Sequence, residues 1–595
     1  MKKTLSLFTV IILIGATLAA CGKKSDSPQN KYGLSTKNNV VYWIAADITN
    51  IIPPLSHDAS AQYAYPLVWE PLNSTDSRHQ LLIPGLASLP EISPDHLTYT
   101  YTINPKAKFS DGVPFTGEDV VFSFKCVMNP RQIETTQTRS VVTAVDSIEY
   151  VGGDKMKVAF HLNKPYFQMD LVLGGGYVSM LPKHIFDPKN LTDQMSWKEM
   201  KNDNPKSPVF QQEADDFKDP SKIRDPKMMI GTGTYTYGEW VTNDHISFKK
   251  NPNYWGKDAI EWNEAYPDQI TFKTITDNNS AVTALKAKDI DLMDIVPAAL
   301  YVQLDSTKQP YIRKDTVYYN SRVFIQWNAE RPLFRDKKIR WALSHLVDRD
   351  ILVKEVMKGL ARPINGPINF TQPHYDASLK PITFDPDLAK KMLAEEGWTD
   401  SDGDGILDKV IDGKKTPFKF TFNIYAGSDV VKQAALVIAE QMRKVGIQAE
   451  VVSTEWSVWI NNGRSHNYDA SIANLLGNAS EDDPYEIWHS SQAKNKGQNV
   501  WSFINAEADK IMEENRVEFD INKRDALMKR FQQIVYDEMP VTPLWSAPLR
   551  IALIDRFDNI EYFKQRPGFD VRFWIVRGSG IKPKAGAAST VQPIP

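Results

Sequence analysis

Cysteine is nearly missing: the 595-residue chain has two, Cys21 and Cys126. Two thiols so far apart build neither a disulfide framework nor a thiolate metal cage. Charge of one sign is lacking too. Seventy basic residues stand against seventy-three acidic ones, a formal net charge of −3, and no half is strongly basic, which argues against a nucleic-acid partner. After the first twenty residues no run of about 18 apolar residues occurs, so nothing later is written to span a bilayer. Catalytic signatures are absent as well: no HExxH, GxSxG, P-loop or CxxC. The ten histidines are scattered, with no pair at helical ligand spacing. Two carboxylates that meet in space need no spacing in sequence, so a secreted carboxylate-dependent hydrolase stays open.

What is present begins at the N-terminus. Lys2 and Lys3 precede an apolar run from Leu5 to Leu18 that ends in Leu18-Ala19-Ala20-Cys21. The basic flank, short apolar core and small-residue end read as a signal peptide over 1–20. The ending is similar to the bacterial lipobox, which makes Cys21 the expected lipidation site and leaves Cys126 as a lone thiol. Residues 21–39 are polar and hold Gly, Pro and Ser, as expected of a tether. The protein is therefore expected to be exported and held at the cell envelope, in the periplasm or on the outer face of the cytoplasmic membrane. At 42% hydrophobic and 11% aromatic, the remaining chain can bury several cores.

Strands and helices alternate along the body. Leu97 to Ile103 keeps strict period-two alternation and predicts a half-buried strand; Phe418, Phe420, Phe422 and Ile424 repeat the pattern. Thr116-Gly117-Glu118-Asp119 predicts a capped helix start, and Asp385-Pro386 another, with Gly397 at its stop. A third helix over 428–446 lies between the strand ending near Tyr425 and an apolar segment from Ile447, which makes a βαβ unit. From 578 to 595 the hydrophobic period is lost, as in a disordered tail.

Asp400-Ser401-Asp402-Gly403-Asp404 through Asp408 places carboxylates at loop positions 1, 3, 5 and 9 with Gly405 at 6, the spacing of a calcium loop. Position 12 is Ile411 instead of Glu. A sharp polar turn explains the same residues without a metal, so a structural calcium remains an open expectation; no other cofactor is required. Gly231-Thr232-Gly233-Thr234 begins like a dinucleotide loop but has Thr where the third Gly belongs. Trp456, Trp459, Trp488, Trp501 and Trp545 crowd the C-terminal third, suited to a core or to the wall of an organic-ligand site.

Several segments, taken in order, carry a family resemblance. Lys108-Phe109-Ser110-Asp111-Gly112-Val113-Pro114-Phe115-Thr116-Gly117-Glu118-Asp119-Val120-Val121-Phe122-Ser123 is the most specific. It is followed by Gly231 to Tyr235, Asn251-Pro252-Asn253-Tyr254-Trp255, Ala284 to Asp291 with Lys288 in place of a Gly, Pro332 to Asp336 with Ile339 to Leu343, and Asp385 to Trp398. The chain so resembles the family 5 extracellular solute-binding proteins, the peptide-, nickel- and oligopeptide-binding lipoproteins of ABC importers.

The resemblance implies an α/β, two-lobed periplasmic-binding-protein-like fold of type II, the large peptide-binding class, with an inserted subdomain. Lobe I is expected from 40–72, 180–296 and 541–577, the insert from 73–179, and lobe II from 297–540. The implied function is to capture a peptide, oligopeptide or dipeptide, between closing lobes and deliver it to an ABC permease whose ATPase subunits are separate. A nickel chelate, an oligosaccharide or haem are the alternative ligands, and a sensing or chaperone lipoprotein the alternative use. The receptor is expected to be a monomer. Family members often carry an Asp four residues before the Pro of a D-P pair, which holds the ligand amine; here Ser480 stands four before Pro484, with Glu481 or Asp482 as substitutes. The ligand-binding candidates are Trp456, Gly477, Asn478, Ser480, Glu481, Asp482 and Asp483.

Overall fold

The computed structural model describes residues 31–582 apart from 57, 77–80, 203, 258–263, 478–481 and 495–496. The signal segment, Cys21, the tail from 583, and Asn478, Ser480 and Glu481 lie outside the described residues.

Two mixed sheets form the two lobes. The first has seven strands in the order Ile312–Val317, Leu549–Ile554, Leu292–Met293, Asn39–Ile44, Gln269–Thr274, His245–Lys250 and Tyr235–Val241. The second has six: Arg362–Pro363, Val541–Ser546, Ser321–Trp327, Ala470–Leu476, Lys419–Tyr425 and Gln448–Thr454. A four-stranded sheet, Glu91–Ile92, Thr98–Thr102, Lys157–Leu162 and Val145–Tyr150, makes the inserted subdomain. Lobe II is thus one continuous stretch set into lobe I. The chain crosses between the sheets at 318–320 and again at 547–548. Fully buried Asn369 holds the lobe II ends of both crossings together, donating to the Ser321 carbonyl at 2.6 Å and the Ser546 hydroxyl at 2.9 Å.

Four expected boundaries move. Ile312–Val317 pairs antiparallel with Leu549–Ile554, which places it in lobe I, and Val541–Ser546 pairs with Ser321–Trp327, which places it in lobe II. Apolar periodicity marks a strand without naming its partner, so 297 and 541 are not the boundaries. The expected tether to residue 39 is also too long: Leu34 is buried with Trp43 and Leu285, and Arg556 donates to the Lys37 carbonyl at 3.0 Å. Finally, the core of the insert runs past 179, recruiting Met195, Phe210, Tyr254 and Trp255.

Local signals translate directly. The Gly117–Met128 helix opens with a reciprocal capping box between Thr116 and Asp119. Asp385 caps Pro386–Glu395, and Gly397 follows at φ +81°. Ser428 caps Asp429–Arg443, which joins the parallel strands Lys419–Tyr425 and Gln448–Thr454.

Three of the sequence motifs converge on one buried junction. The Ser110 amide donates to the Gly231 carbonyl at 2.9 Å, and the Gly233 amide to the Val68 carbonyl at 2.8 Å. A Cβ on Gly231 would stand 2.0 Å from the Val68 oxygen, and one on Gly233 2.3 Å from the Leu67 oxygen. These glycines therefore serve a close approach of two backbones, and no phosphate. Buried Glu70 accepts from the Tyr254 hydroxyl at 2.6 Å and the Trp255 indole at 3.1 Å, and that indole also reaches the Thr232 carbonyl at 3.1 Å. The most recognisable residues hold the insert against lobe I.

Candidate functional site

A cavity of about 1080 Å³ opens where the insert, lobe I and lobe II meet. It exceeds the roughly 300–1,000 Å³ of sites for drug-sized ligands. Lobe I contributes Pro53, Gln62 and Tyr65, the insert Lys164, Tyr166 and Tyr177, and lobe II Leu476, Gly477 and the segment from Asp482 to Trp488.

The lobe II wall ends in an open strand edge. Ala470–Leu476 pairs along its whole length with Ser321–Trp327 but meets Lys419–Tyr425 only at Ala470 and Ser471. The Gly477 amide donates to the Asn320 carbonyl at 2.9 Å, toward the paired side. Successive residues of a strand turn their amide and carbonyl to opposite sides, so Leu476 directs its own away from that partner. Its backbone has no partner among the described residues, and it stands on the cavity wall. Gly477 follows, and a Cβ there would lie 2.2 Å from Asn320 Nδ2 and 2.4 Å from Asp482 Oδ1, so a larger residue must displace those side chains.

The acidic groups of the wall are already partnered. Asp482 forms an ion pair with buried Arg322 and accepts from Asn320 at 2.8 Å. Asp483 accepts from Arg516 Nε at 2.7 Å, the Tyr166 hydroxyl at 3.1 Å and the Tyr485 amide at 3.1 Å. Arg516 also reaches Glu486 at 3.1 Å. Glu134 pairs with Lys218 at 2.8 Å, and Glu513 lies 3.4 Å from His489 Nε2. Burial, and then the neighbouring Asp483 charge, push the Tyr166 hydroxyl far above its ordinary range, so it stays a donor.

Of the candidates read from sequence, Gly477, Asp482 and Asp483 line this cavity, and Asn478, Ser480 and Glu481 lie outside the described residues. Trp456 is not in the lining. It stands 55% exposed at the start of the Trp456–Arg464 helix, stacked on Trp459 at 5.4 Å and edge-on to Tyr425 at 5.2 Å. That is the same end of the sheet as Leu476, two strands away or about 10 Å. The acidic loop is remote as well. Asp400, Asp402 and Asp408 bring oxygens within 4.8 Å of one another, while Asp404 turns back to the Ile406 amide at 2.8 Å. Lys415 Nζ sits among them, 2.6 Å from Asp402 and 3.2 Å from Asp408.

Sequence reasoning missed Tyr166, Arg322 and Arg516. They lie more than 150 residues from their acidic partners, except Arg516 at 33, and no spacing announces such pairs.

With the lobes and cleft established, comparison with known proteins decides the family. The model for bacterial extracellular solute-binding proteins, family 5 middle, matches residues 82–497, well over half the chain. The chain belongs to that family. Family 5 proteins bind solutes, which is the work of a receptor. The chain is similar to the oligopeptide-binding protein AppA of Bacillus subtilis, 28% identical over 584 residues that cover 96% of this chain and 98% of AppA. The structure of AppA in complex with a nonapeptide superposes with a TM-score of 0.71 at 27% identity, covering 90% of this chain and 98% of that one. NikA of Brucella suis, in complex with Fe(III)-EDTA, superposes with a TM-score of 0.73 over 91% of this chain and 100% of its own, at 22% identity. That likeness shows the fold alone, and a family 5 fold does not by itself choose a ligand. No helix among the described residues is long and apolar enough to cross a membrane.

Proposed function

We propose that the chain is the lipid-anchored substrate-binding component of an ABC importer that captures peptides between its lobes and hands them to a membrane permease. The observation that carries the peptide reading is the Leu476 backbone on the cavity wall, which has no partner among the described residues. An extended peptide laid along the end of this strand, beyond Ser471, adds a strand, satisfies the Leu476 edge, and leaves its side chains to a wide, aromatic-lined space. A wall whose described carboxylates already have protein partners suits a ligand recognised through its backbone. The similarity to AppA over nearly the whole chain supports the same reading. Lipidation at Cys21 supplies the anchor, and the separate ATPase explains the missing P-loop.

The metal-chelate reading has less support. Among the described residues the one acidic cluster close enough to hold an ion is Asp400, Asp402 and Asp408, away from the cavity.

A thermal-shift screen of mixed oligopeptides against nickel chelates, haem and oligosaccharides tests the substrate. A ligand at a hundred times its Kd stabilises the folded state by about 2.7 kcal/mol, a clear rise in melting temperature. Peptides are expected to give that rise. A response to a chelate, haem or sugar with none to peptides overturns the assignment.

A further inference from the structure

The insert and lobe II touch at a place that neither crossing of the chain creates. The Phe167 amide donates to the Arg516 carbonyl at 2.9 Å, and the Tyr166 hydroxyl stands between two acceptors, Gln168 Oε1 at 3.0 Å and Asp483 Oδ2 at 3.1 Å. Beside them the Arg524 guanidinium lies 4.5 Å from the Phe167 ring centre, and the His96 and Phe519 rings stack at 3.6 Å. Arg516 anchors the lobe II side. Its guanidinium binds Asp483 at 2.7 Å and Glu486 at 3.1 Å, and lies over the Tyr485 ring at 3.9 Å. Both oxygens of Asp483 are engaged, Oδ1 by the Tyr485 amide and Oδ2 by Tyr166 and Arg516. Oδ2 already carries two donors, so a ligand amine finds only the second lone pair of Oδ1 open unless it displaces Tyr166 or Arg516.

Lobe II and the insert are joined through the chain only at 318–320 and 547–548, so rotation about those segments separates Tyr166 from Asp483. The contact exists when the lobes are together and is lost when they part. It needs no ligand.

We propose that Tyr166, Asp483 and Arg516 form an interlobe latch, and that Asp483 is a positioning residue that raises the population of the closed form instead of an anchor for the ligand's amino terminus. Apparent affinity is then the affinity of the closed form scaled by the fraction of molecules closed. A change at the latch acts on every ligand by one factor, whatever its end group. The ligand arm of this inference rests on the peptide reading; the conformational arm does not.

Two measurements on the full chain test it with wild type, Asp483→Asn and Tyr166→Phe. Small-angle scattering of the ligand-free protein reads lobe separation, and calorimetry reads the affinity of a bound oligopeptide and its N-acetylated form. Both variants are expected to expand the ligand-free molecule. Asp483→Asn is expected to weaken the free and acetylated peptides equally, by about tenfold. A loss confined to the free-amine peptide makes Asp483 an amine anchor and overturns the proposal, as does unchanged scattering in both variants. Glu486 still pairs with Arg516 in Asp483→Asn, and Tyr166→Phe removes one hydroxyl, so the second variant decides if the first fails to fold. If wild type binds no peptide, the peptide reading fails and scattering alone decides the latch.

Discussion

The junction around Gly231 and the cleft beside Leu476 make opposite use of the backbone. At the junction, carbonyls of Leu67 and Val68 come so close to Gly231 and Gly233 that no side chain fits, and Glu70, Thr232 and the Trp255 indole complete a buried hydrogen-bond set. In the cleft, the end of a strand has one edge without a partner among the described residues, beside a space of about 1080 Å³. The first place tolerates few residues and therefore carries motifs. The second is a wide space, and of the family's signatures only the Asp483-Pro484 pair stands on its wall. The most specific matching motifs lie at the junction and not in the cavity lining.

The largest effect that sharpens this contrast is expected at the junction. Gly231→Ala puts a Cβ 2.0 Å from a backbone oxygen, where no side chain can yield. Overpacking of this kind costs about 3 kcal/mol or more. Denaturant unfolding should show that loss, while the folded fraction keeps its ligand affinity. A stable Gly231→Ala protein with altered affinity would merge the two regions.

The next effect lies on the helix that the same motif starts. Glu213 is buried against that helix, accepting from Asn129 at 2.6 Å and from Cys126 at 3.2 Å. Burial raises its carboxyl to about 7, only partly opposed by those hydrogen bonds. The folded state therefore holds a proton that the unfolded chain, titrating near 4.3, releases earlier. The resulting stability is complete below the unfolded value and is lost as pH rises through about 7, on the order of 3 kcal/mol in all. Glu213→Gln keeps the neutral form at every pH. The difference in unfolding free energy between wild type and Glu213→Gln should change steeply between pH 5 and pH 7.5; a difference constant across that range would refute the assignment.

How much was legible in sequence follows the same division. The capped helices at Thr116, Asp385 and Ser428, and the βαβ unit around the last, are local, set by residues within one turn or one strand, and they stand where the pattern puts them. Which sheet a strand joins is not local. Val541–Ser546 is buried at every position and reads as a strand of either lobe until its pairing with Ser321–Trp327 is seen. Gly477, Asp482 and Asp483 fall within one short segment and line the same cavity, whereas Tyr166 and Asp483 are 317 residues apart and only the fold relates them. Trp456 was chosen as an aromatic near a strand end, and that criterion does not say which neighbouring strands separate it from the cavity.

On the cleft side a smaller effect is expected, of the opposite kind. Leu476→Pro removes an amide that the sheet does not use and leaves the Gly477 bond to Asn320 in place. One lost hydrogen bond is worth roughly 0.5–1.5 kcal/mol, so peptide affinity should fall by about three- to tenfold with little change in melting temperature. Equal affinity for Leu476→Pro and wild type, by calorimetry, would remove the strand-addition model.

The smallest effect belongs to the acidic loop, which is part of neither region. Its carboxylates are already answered from within: Asp400 accepts from the Gly403 amide at 2.8 Å and the Gly405 amide at 3.0 Å, and Lys415 lies 2.6 Å from Asp402. Hydrogen bonds from Lys415 to Asp402, and from Ser401 to Asp408, hold both carboxyls below the usual carboxylate range. A calcium ion must displace the ammonium before it gains those oxygens, and Ile411 supplies no bidentate ligand at position 12. Millimolar calcium is therefore expected to shift the wild-type melting temperature by less than about 1 °C, and Lys415→Met by more than wild type, because the displaced charge is gone. A shift of several degrees in wild type, reversed by chelator, would make the loop a metal site in spite of its lysine.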